Sequence, residues 1–334
     1  MLKISSGGRH SGLIRRRVFV FVFAIVLLAP LIYPAAGLAQ SAPLNVVASF
    51  SILADMTHEI GGEHIALTTI VKADGDVHSF EPAPKDVKAL ASARVLVVNG
   101  LSFEGWLPRL VGASGFKGTT VAASDGVVPR HLTAAEQALA AHEAHGAGSG
   151  NAGRPADIDP HAWQSLANGE IYAKNIAAGL AKADPVHASD YQTRAAAYIE
   201  RMKALDKEIK TMLAQVPVVR RRVVTSHDAF GYFGQAYGIQ FISAAGVSSE
   251  AEPSAKDIAG IIDQVRKEHV PAVFIENITS PKLVEQIARE TGAKVGGTLY
   301  SDALAQPGKP AGTYLGMFKW NARQLIDALR PAAR

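Results

Sequence analysis

One long amphipathic stretch between two similar halves is the feature that most limits how this chain can fold. Apolar residues recur at helical spacing from about Val186 to Val216, with Asp184-Pro185 as a start signal and Pro217 as a stop signal. About 30 residues of helix span roughly 45 Å, which is longer than one small domain needs. The segment 186–216 is therefore predicted to be a helix that joins two domains.

Strand and helix signals alternate on both sides of this segment. Strand-like runs lie at 45–50, 66–71, 94–99 and 119–122 before it, and at 222–226, 240–243, 272–276 and 294–299 after it. Runs such as Val95-Leu96-Val97-Val98 are apolar throughout, which suits strands of a parallel sheet that is covered on both faces. The expected fold class is α/β, with one lobe at 40–185 and a second at 217–334.

The first 39 residues have the pattern of a secretory signal peptide. Lys3, Arg9 and Arg15–Arg17 precede an apolar run from Val18 to about Ile32, and small residues up to Ala39 offer a cleavage site. A transmembrane anchor is the alternative, but the apolar run is shorter than the roughly 20 residues that a spanning helix needs. We therefore predict export, with cleavage after residue 39.

The charge and the lack of cysteine narrow the class of protein further. Five of the 34 basic residues precede the cleavage site and no acidic residue does, so the rest of the chain carries 29 basic against 30 acidic residues. The net charge of +4 for the whole chain therefore gives no reason to expect nucleic acid as a partner. Without cysteine there is neither a thiolate metal ligand nor the lipid-modified cysteine of a bacterial lipoprotein. A soluble, monomeric periplasmic protein is expected.

Three histidines and one aspartate lie in segments that have the character of metal sites. His78 follows Gly-Asp-Val, His161 lies in Asp-Pro-His-Ala-Trp, His227 lies in Ser-His-Asp-Ala-Phe, and Asp302 lies in Tyr-Ser-Asp-Ala-Leu. Three neutral imidazoles and one carboxylate make a tetrahedral site that suits zinc. All but His161 follow strand-like runs, and ligands of open α/β sheets bind beyond the carboxyl ends of the strands. The sequence therefore predicts that the fold assembles these four residues into one site.

These segments together resemble the metal-binding solute receptors of bacterial ABC transporters for zinc and manganese, called cluster A-I. The resemblance covers essentially the whole chain after residue 39. It implies two Rossmann-like lobes joined by a backbone helix, with the metal in the cleft between the lobes. It also implies His78, His161 and His227 as ligands, with Asp302 at the place of the carboxylate ligand. Some zinc members of the family use water or another carboxylate at that fourth place.

The resemblance further implies capture of Zn²⁺ and its delivery to an ABC transporter permease in the inner membrane, with a periplasmic metallochaperone as a conceivable donor. Manganese members usually carry a glutamate where His227 stands, and imidazole favours zinc over the harder manganese ion. A manganese or iron receptor is the alternative. A secreted zinc hydrolase is a remote one, because a catalytic zinc keeps an open position and a nearby base, and the chain has no His-Glu-x-x-His motif.

The segment 131–158 is rich in alanine, glycine, histidine and asparagine, and it is predicted to be a mobile loop. Zinc receptors of the family often carry a loop rich in histidine and acidic residues here. His142 and His145 have a spacing that allows them to share one ion, and His131 lies nearby. An accessory, weaker zinc site or a docking point for a metal donor is one hypothesis. A soluble loop without metal is the other.

Overall fold

The structure is a computed structural model that describes residues 42–146, 157–247, 249 and 253–330, without the side chains of 141–146. The predicted signal peptide at 1–39 lies outside the described residues. Within the described ranges, every helix is either too short or too polar to cross a membrane.

The first lobe is a parallel sheet covered by helices. Its strands are β1 (Leu44–Phe50), β2 (Ile65–Val71), β3 (Val95–Val98) and β4 (Thr119–Ala122), in the order β2-β1-β3-β4. Its helices are α1 (Ser51–Gly61), α2 (Pro84–Ala91), α3 (Leu107–Ser114), α4 (Ala134–Gly146) and α5 (Leu166–Ala183). All four residues of β3 are buried, as expected for a strand with helices on both faces.

The second lobe repeats this plan after the long helix α6 (Ala188–Ala214). Its strands are β5 (Arg222–Thr225), β6 (Gln240–Ser243), β7 (Ala272–Glu276) and β8 (Lys294–Leu299), again parallel, in the order β6-β5-β7-β8. Its helices are α7 (Gly231–Tyr237), α8 (Ala255–Glu268), α9 (Lys282–Thr291) and α10 (Tyr314–Leu329). The prediction of two α/β lobes with parallel sheets is confirmed.

Helix α6 is the element that the two lobes share. Its 27 residues span about 40 Å, and it packs against α1 and α5 of the first lobe and against α7 and α10 of the second. The residues that it buries recur every three or four positions, from Tyr191 through Tyr198 and Leu205 to Leu213. One apolar face of a single helix thus belongs to a core that runs through both lobes.

The segment 131–158 differs from its prediction. Helix α4 covers Ala134–Gly146, where the sequence predicted a loop, so the loop prediction was wrong for these residues. Thr133 and Glu136 form a reciprocal cap at its start: the Glu136 carboxylate accepts from the Thr133 amide, and the Thr133 hydroxyl accepts from the Glu136 amide. The alanine-rich sequence that follows has high helix propensity, and the cluster of glycines begins only at Gly146.

Candidate metal centre

The structure brings together the four residues that the sequence singled out. His78 lies between β2 and α2, His161 just before the turn that leads into α5, His227 just after β5, and Asp302 after β8. Each offers one nitrogen or oxygen atom, and these four atoms lie within 4.8 Å of one another. The first lobe thus supplies two side chains, the second lobe supplies the other two, and the group depends on the whole fold.

The Asp302 carboxylate is the centre of the group. Its Oδ2 atom lies 3.0 Å from Nε2 of His78, 3.2 Å from Nε2 of His227 and 3.7 Å from Nε2 of His161. Ligand atoms of a tetrahedral ion with bonds near 2.0 Å stand about 3.3 Å apart. The three distances lie on both sides of that value, so the carboxylate oxygen stands from the three imidazoles at about the spacing of a tetrahedral coordination shell.

Burial adds a second reason to regard the group as a cation site. His161, His227 and Asp302 are fully buried, and the His78 side chain is only 7% exposed. Nε2 of His161 and Oδ1 of Asp302 find no hydrogen-bond partner among the described residues. A buried polar atom without a partner costs about 1–3 kcal/mol. A cation bound at this point would satisfy both atoms.

Two further carboxylates orient the imidazoles. Oδ1 of Asp159 accepts from the His161 amide at 2.9 Å and lies 2.8 Å from Nδ1 of that ring. Glu276 holds His227 differently: Oε1 accepts from the amide at 2.9 Å, and Oε2 makes an ion-pair contact with Nδ1 at 2.7 Å. When Nδ1–H donates to a carboxylate, the lone pair of Nε2 is free to bind a cation and becomes more basic.

His78 is held through its backbone. Its amide donates to Oδ1 of Asp76 at 2.9 Å, and Oδ2 of the same carboxylate accepts from the Ser249 hydroxyl at 2.6 Å. Ser249 follows β6 in the second lobe. The segment that carries His78 is therefore tied directly to the opposite lobe.

Aromatic rings close the first-lobe side of the group. The Phe103 ring centroid is 5.0 Å from that of His78 and 5.7 Å from that of His161, and the buried Trp163 ring stands 5.2 Å from His161. These apolar faces limit the access of water, and electrostatic interactions are stronger in such surroundings.

The charges inside the group oppose the effect of burial. Burial lowers the pKa of His161 below its ordinary value, although the Asp302 carboxylate opposes this. Burial acts in the same direction on His227, but the carboxylates of Glu276 and Asp302 prevail and raise its pKa well above 6.5. Burial would raise the pKa of Asp302, yet His161 and His227 hold it well below its usual range. Both shifts favour an anionic Asp302 paired with a protonated His227 in the metal-free protein.

We expect metal affinity to fall as the pH is lowered from about 8 to about 5, because protons compete with the cation for imidazole nitrogen. The fall should begin above pH 6.5, the ordinary pKa of histidine, because His227 keeps its proton beyond that point. Protonation of His161, with its lowered pKa, should steepen the fall at lower pH. Chelator competition across the pH range measures the affinity. Calorimetry at pH 7 in two buffers of different ionisation enthalpy measures the protons that metal binding releases. If no protons were released, the assignment of the histidines as ligands would be contradicted.

Of the three histidines of the segment 131–158, only His131 has a described side chain, and it does not join this group. The His131 ring is 66% exposed, and its Nδ1 lies 2.8 Å from Oδ2 of Asp157. Among the described residues, the four-residue group is the only cluster of side chains that could hold a metal ion. The side chains of His142 and His145 lie outside the described residues. An accessory site there stays a prediction.

Sequence reasoning did not find the roles of Asp159 and Glu276. Both offered a signal. Asp159 stands two residues before His161, and Glu276 is the charged last residue of the otherwise apolar strand β7, at the end of the sheet where ligands bind.

Comparison with known proteins identifies the family to which the chain belongs. The family model described as the periplasmic zinc-uptake complex component A, ZnuA, matches residues 46–328. The chain belongs to this family. Its members are the extracytoplasmic substrate-binding components of metal ABC transporters, and they are not enzymes.

Relatives of known name bind different metals. The manganese ABC transporter substrate-binding lipoprotein PsaA of Streptococcus pneumoniae is 32% identical over 296 residues, covering 87% of this chain and 90% of its own. The iron ABC transporter substrate-binding lipoprotein MtsA of Streptococcus pyogenes serotype M1 is 32% identical over 297 residues, with the same two coverages of 87% and 90%.

Solved structures agree with the fold. The periplasmic zinc-binding protein TroA of Treponema pallidum superimposes with a TM-score of 0.77 at 27% identity, covering 87% of this chain and all (100%) of that one. The manganese-bound periplasmic metal-binding protein of Candidatus Liberibacter asiaticus gives a TM-score of 0.74 at 27% identity, covering 86% and 100%. The shared property of these proteins is the binding of a divalent metal.

Proposed function

We propose that this protein captures Zn²⁺ in the periplasm through His78, His161, His227 and Asp302 and delivers it to the permease of an ABC transporter for zinc uptake. The observation that carries the proposal is the convergence of three Nε2 atoms on one buried carboxylate oxygen, at distances that suit a tetrahedral ion. Nitrogen-rich coordination favours zinc, whereas oxygen-rich coordination suits manganese.

The proposal includes the route and the state of the protein. Residues 1–39 would direct export and be removed, leaving two lobes at 40–185 and 217–334 that work as a monomer. A periplasmic metallochaperone is a candidate donor. The relatives PsaA and MtsA are named lipoproteins, whereas the 334 residues of this chain contain no cysteine to carry a lipid.

A manganese or iron receptor is the second candidate. The names of PsaA and MtsA support it, and so does one feature of the site. Oδ1 of Asp302 is buried and has no hydrogen-bond partner among the described residues, so it could act as a further oxygen ligand. Additional oxygen ligands suit the harder ions.

A competition titration decides between these candidates. We expect one tightly bound Zn²⁺ per chain and much weaker Mn²⁺ binding, following the order of divalent affinities for nitrogen ligands. The protein should be stripped with chelator, titrated with each ion separately, and then challenged with the second ion at an equal free concentration. Displacement of Zn²⁺ by Mn²⁺ at equal concentration would refute the zinc assignment and favour the second candidate.

A further inference from the structure

One buried cation lies behind the metal centre, between the site and helix α4. The Arg130 side chain is only 8% exposed, and its guanidinium bridges two carboxylates. Nη1 donates to Oδ2 of Asp159 at 3.0 Å, and Nη2 donates to Oε1 of Glu136 in the first turn of α4. The other oxygen of Asp159 is the one that holds His161.

The surroundings fix Arg130 in this position. Its amide donates to the Tyr232 hydroxyl at 2.8 Å, and that hydroxyl donates in turn to the Asp159 carbonyl at 3.2 Å. The guanidinium lies so close to Gly231, the first residue of α7, that a Cβ atom there would overlap it. The missing side chain of Gly231 therefore makes the room that Arg130 occupies.

We propose that Arg130 is a positioning residue for metal capture: it holds the Asp159 carboxylate in the orientation that presents Nε2 of His161 to the cation. The inference rests on the proposed function of His161 as a ligand. Asp159 is fully buried, and its Oδ2 accepts one charge-assisted hydrogen bond from a guanidinium whose other end is held by Glu136. Without Arg130, the buried Asp159 carboxylate would lose its cationic partner, and its side chain would be held near Nδ1 of His161 only through its contacts with His161 itself.

Two variants test this through different physical changes. Arg130→Met removes the guanidinium. Gly231→Ala keeps every charge, but its new methyl group displaces the guanidinium from its place. Each should weaken zinc binding about tenfold, at the lower end of the 10–100-fold range for residues that orient a metal ligand. Because the displaced guanidinium leaves the buried Asp159 carboxylate without its partner, Gly231→Ala should also lower the melting temperature of the metal-free protein, so zinc affinity is measured well below that temperature.

Asp159→Asn shows whether the effect passes through Asp159. It should weaken zinc binding about 10–100-fold. Combining it with Arg130→Met should cause no further loss, because residues that act through one another are not additive. Gly260→Ala, in α8 with nothing within 4 Å of the new methyl group, is the matched control and should leave the affinity unchanged. If Arg130→Met does not fold, Gly231→Ala and Asp159→Asn still decide the question.

Three outcomes would overturn the inference. In the first, Arg130→Met and Gly231→Ala keep the wild-type affinity while Asp159→Asn loses it, so that Asp159 needs no help. In the second, Gly231→Ala is silent and the effects of Arg130→Met and Asp159→Asn add. In the third, the wild type does not bind zinc, or His161→Ala binds zinc as tightly as the wild type. Only the third outcome defeats the proposed function as well, so the two failures are distinguishable.

Discussion

Zinc affinity should fall by about 60–700-fold when His161 is replaced by alanine. Structural zinc sites bind with roughly 10–16 kcal/mol, so one of four ligands accounts for roughly 2.5–4 kcal/mol. Each 1.4 kcal/mol is about a factor of ten in affinity. His161 is fully buried, and its ring is held by Asp159 and packed against Phe103 and Trp163. Rigid neighbours leave little freedom for another donor to reach the vacated position.

Asp302→Ala should cost less than His161→Ala, because three imidazoles remain and water can take the fourth place. Chelator competition on both variants measures the difference, with His58→Ala, an exposed histidine of α1, as the control. If Asp302→Ala abolished binding while His161→Ala bound nearly as well as the wild type, the ranking of the ligands would be wrong. The close approach of Oδ2 of Asp302 to all three rings makes this ranking a demanding test.

The plan of the fold could be predicted because its signals are local. The apolar runs of β3 and β7 indicate covered parallel strands, and the periodicity of the linking segment predicts one long helix, observed as α6 at Ala188–Ala214. The positions of His78, His227 and Asp302 after strands predicted a ligand site, because ligands of open α/β sheets bind beyond the carboxyl ends of the strands. Helix α4 was missed because the glycines after Gly146 outweighed the cap formed by Thr133 and Glu136.

The residues that hold the metal ligands in place make contacts between distant parts of the sequence, and no local sequence pattern predicts such contacts. Arg130 forms hydrogen bonds with Asp159, 29 positions away in the sequence, and with Tyr232, 102 positions away. Glu276 accepts a hydrogen bond from His227, 49 positions away. An arginine in a connecting segment has no periodicity that would distinguish it from a solvated one. The raised pKa of His227 also depends on its contacts with Glu276 at the end of β7 and Asp302 after β8, and these contacts were identifiable only in the folded chain.

The pairing of His227 with Glu276 limits how the site can be altered. Glu276 is buried, with Oε2 only 2.7 Å from Nδ1 of His227, and the protonated ring is its partner in the metal-free protein. His227→Glu, the residue type that manganese members usually carry at this position, would place a new carboxylate against Glu276 and beside Asp302. Loss of one partner of a buried ion pair costs roughly 3–5 kcal/mol, and a like charge in its place adds repulsion.

We therefore expect His227→Glu to destabilise the metal-free protein by about 3–5 kcal/mol, and Glu276→Gln in the same chain to restore most of that loss. Urea unfolding in the presence of a chelator measures both. His58→Glu, on the exposed face of α1, should change the stability by less than about 0.5 kcal/mol. Mn²⁺, which prefers oxygen ligands, should stabilise His227→Glu more than it stabilises the wild type, because the cation relieves the repulsion between carboxylates that the metal-free variant suffers. Equal destabilisation with and without Glu276→Gln would show that Glu276 is not the partner that fixes the identity of residue 227.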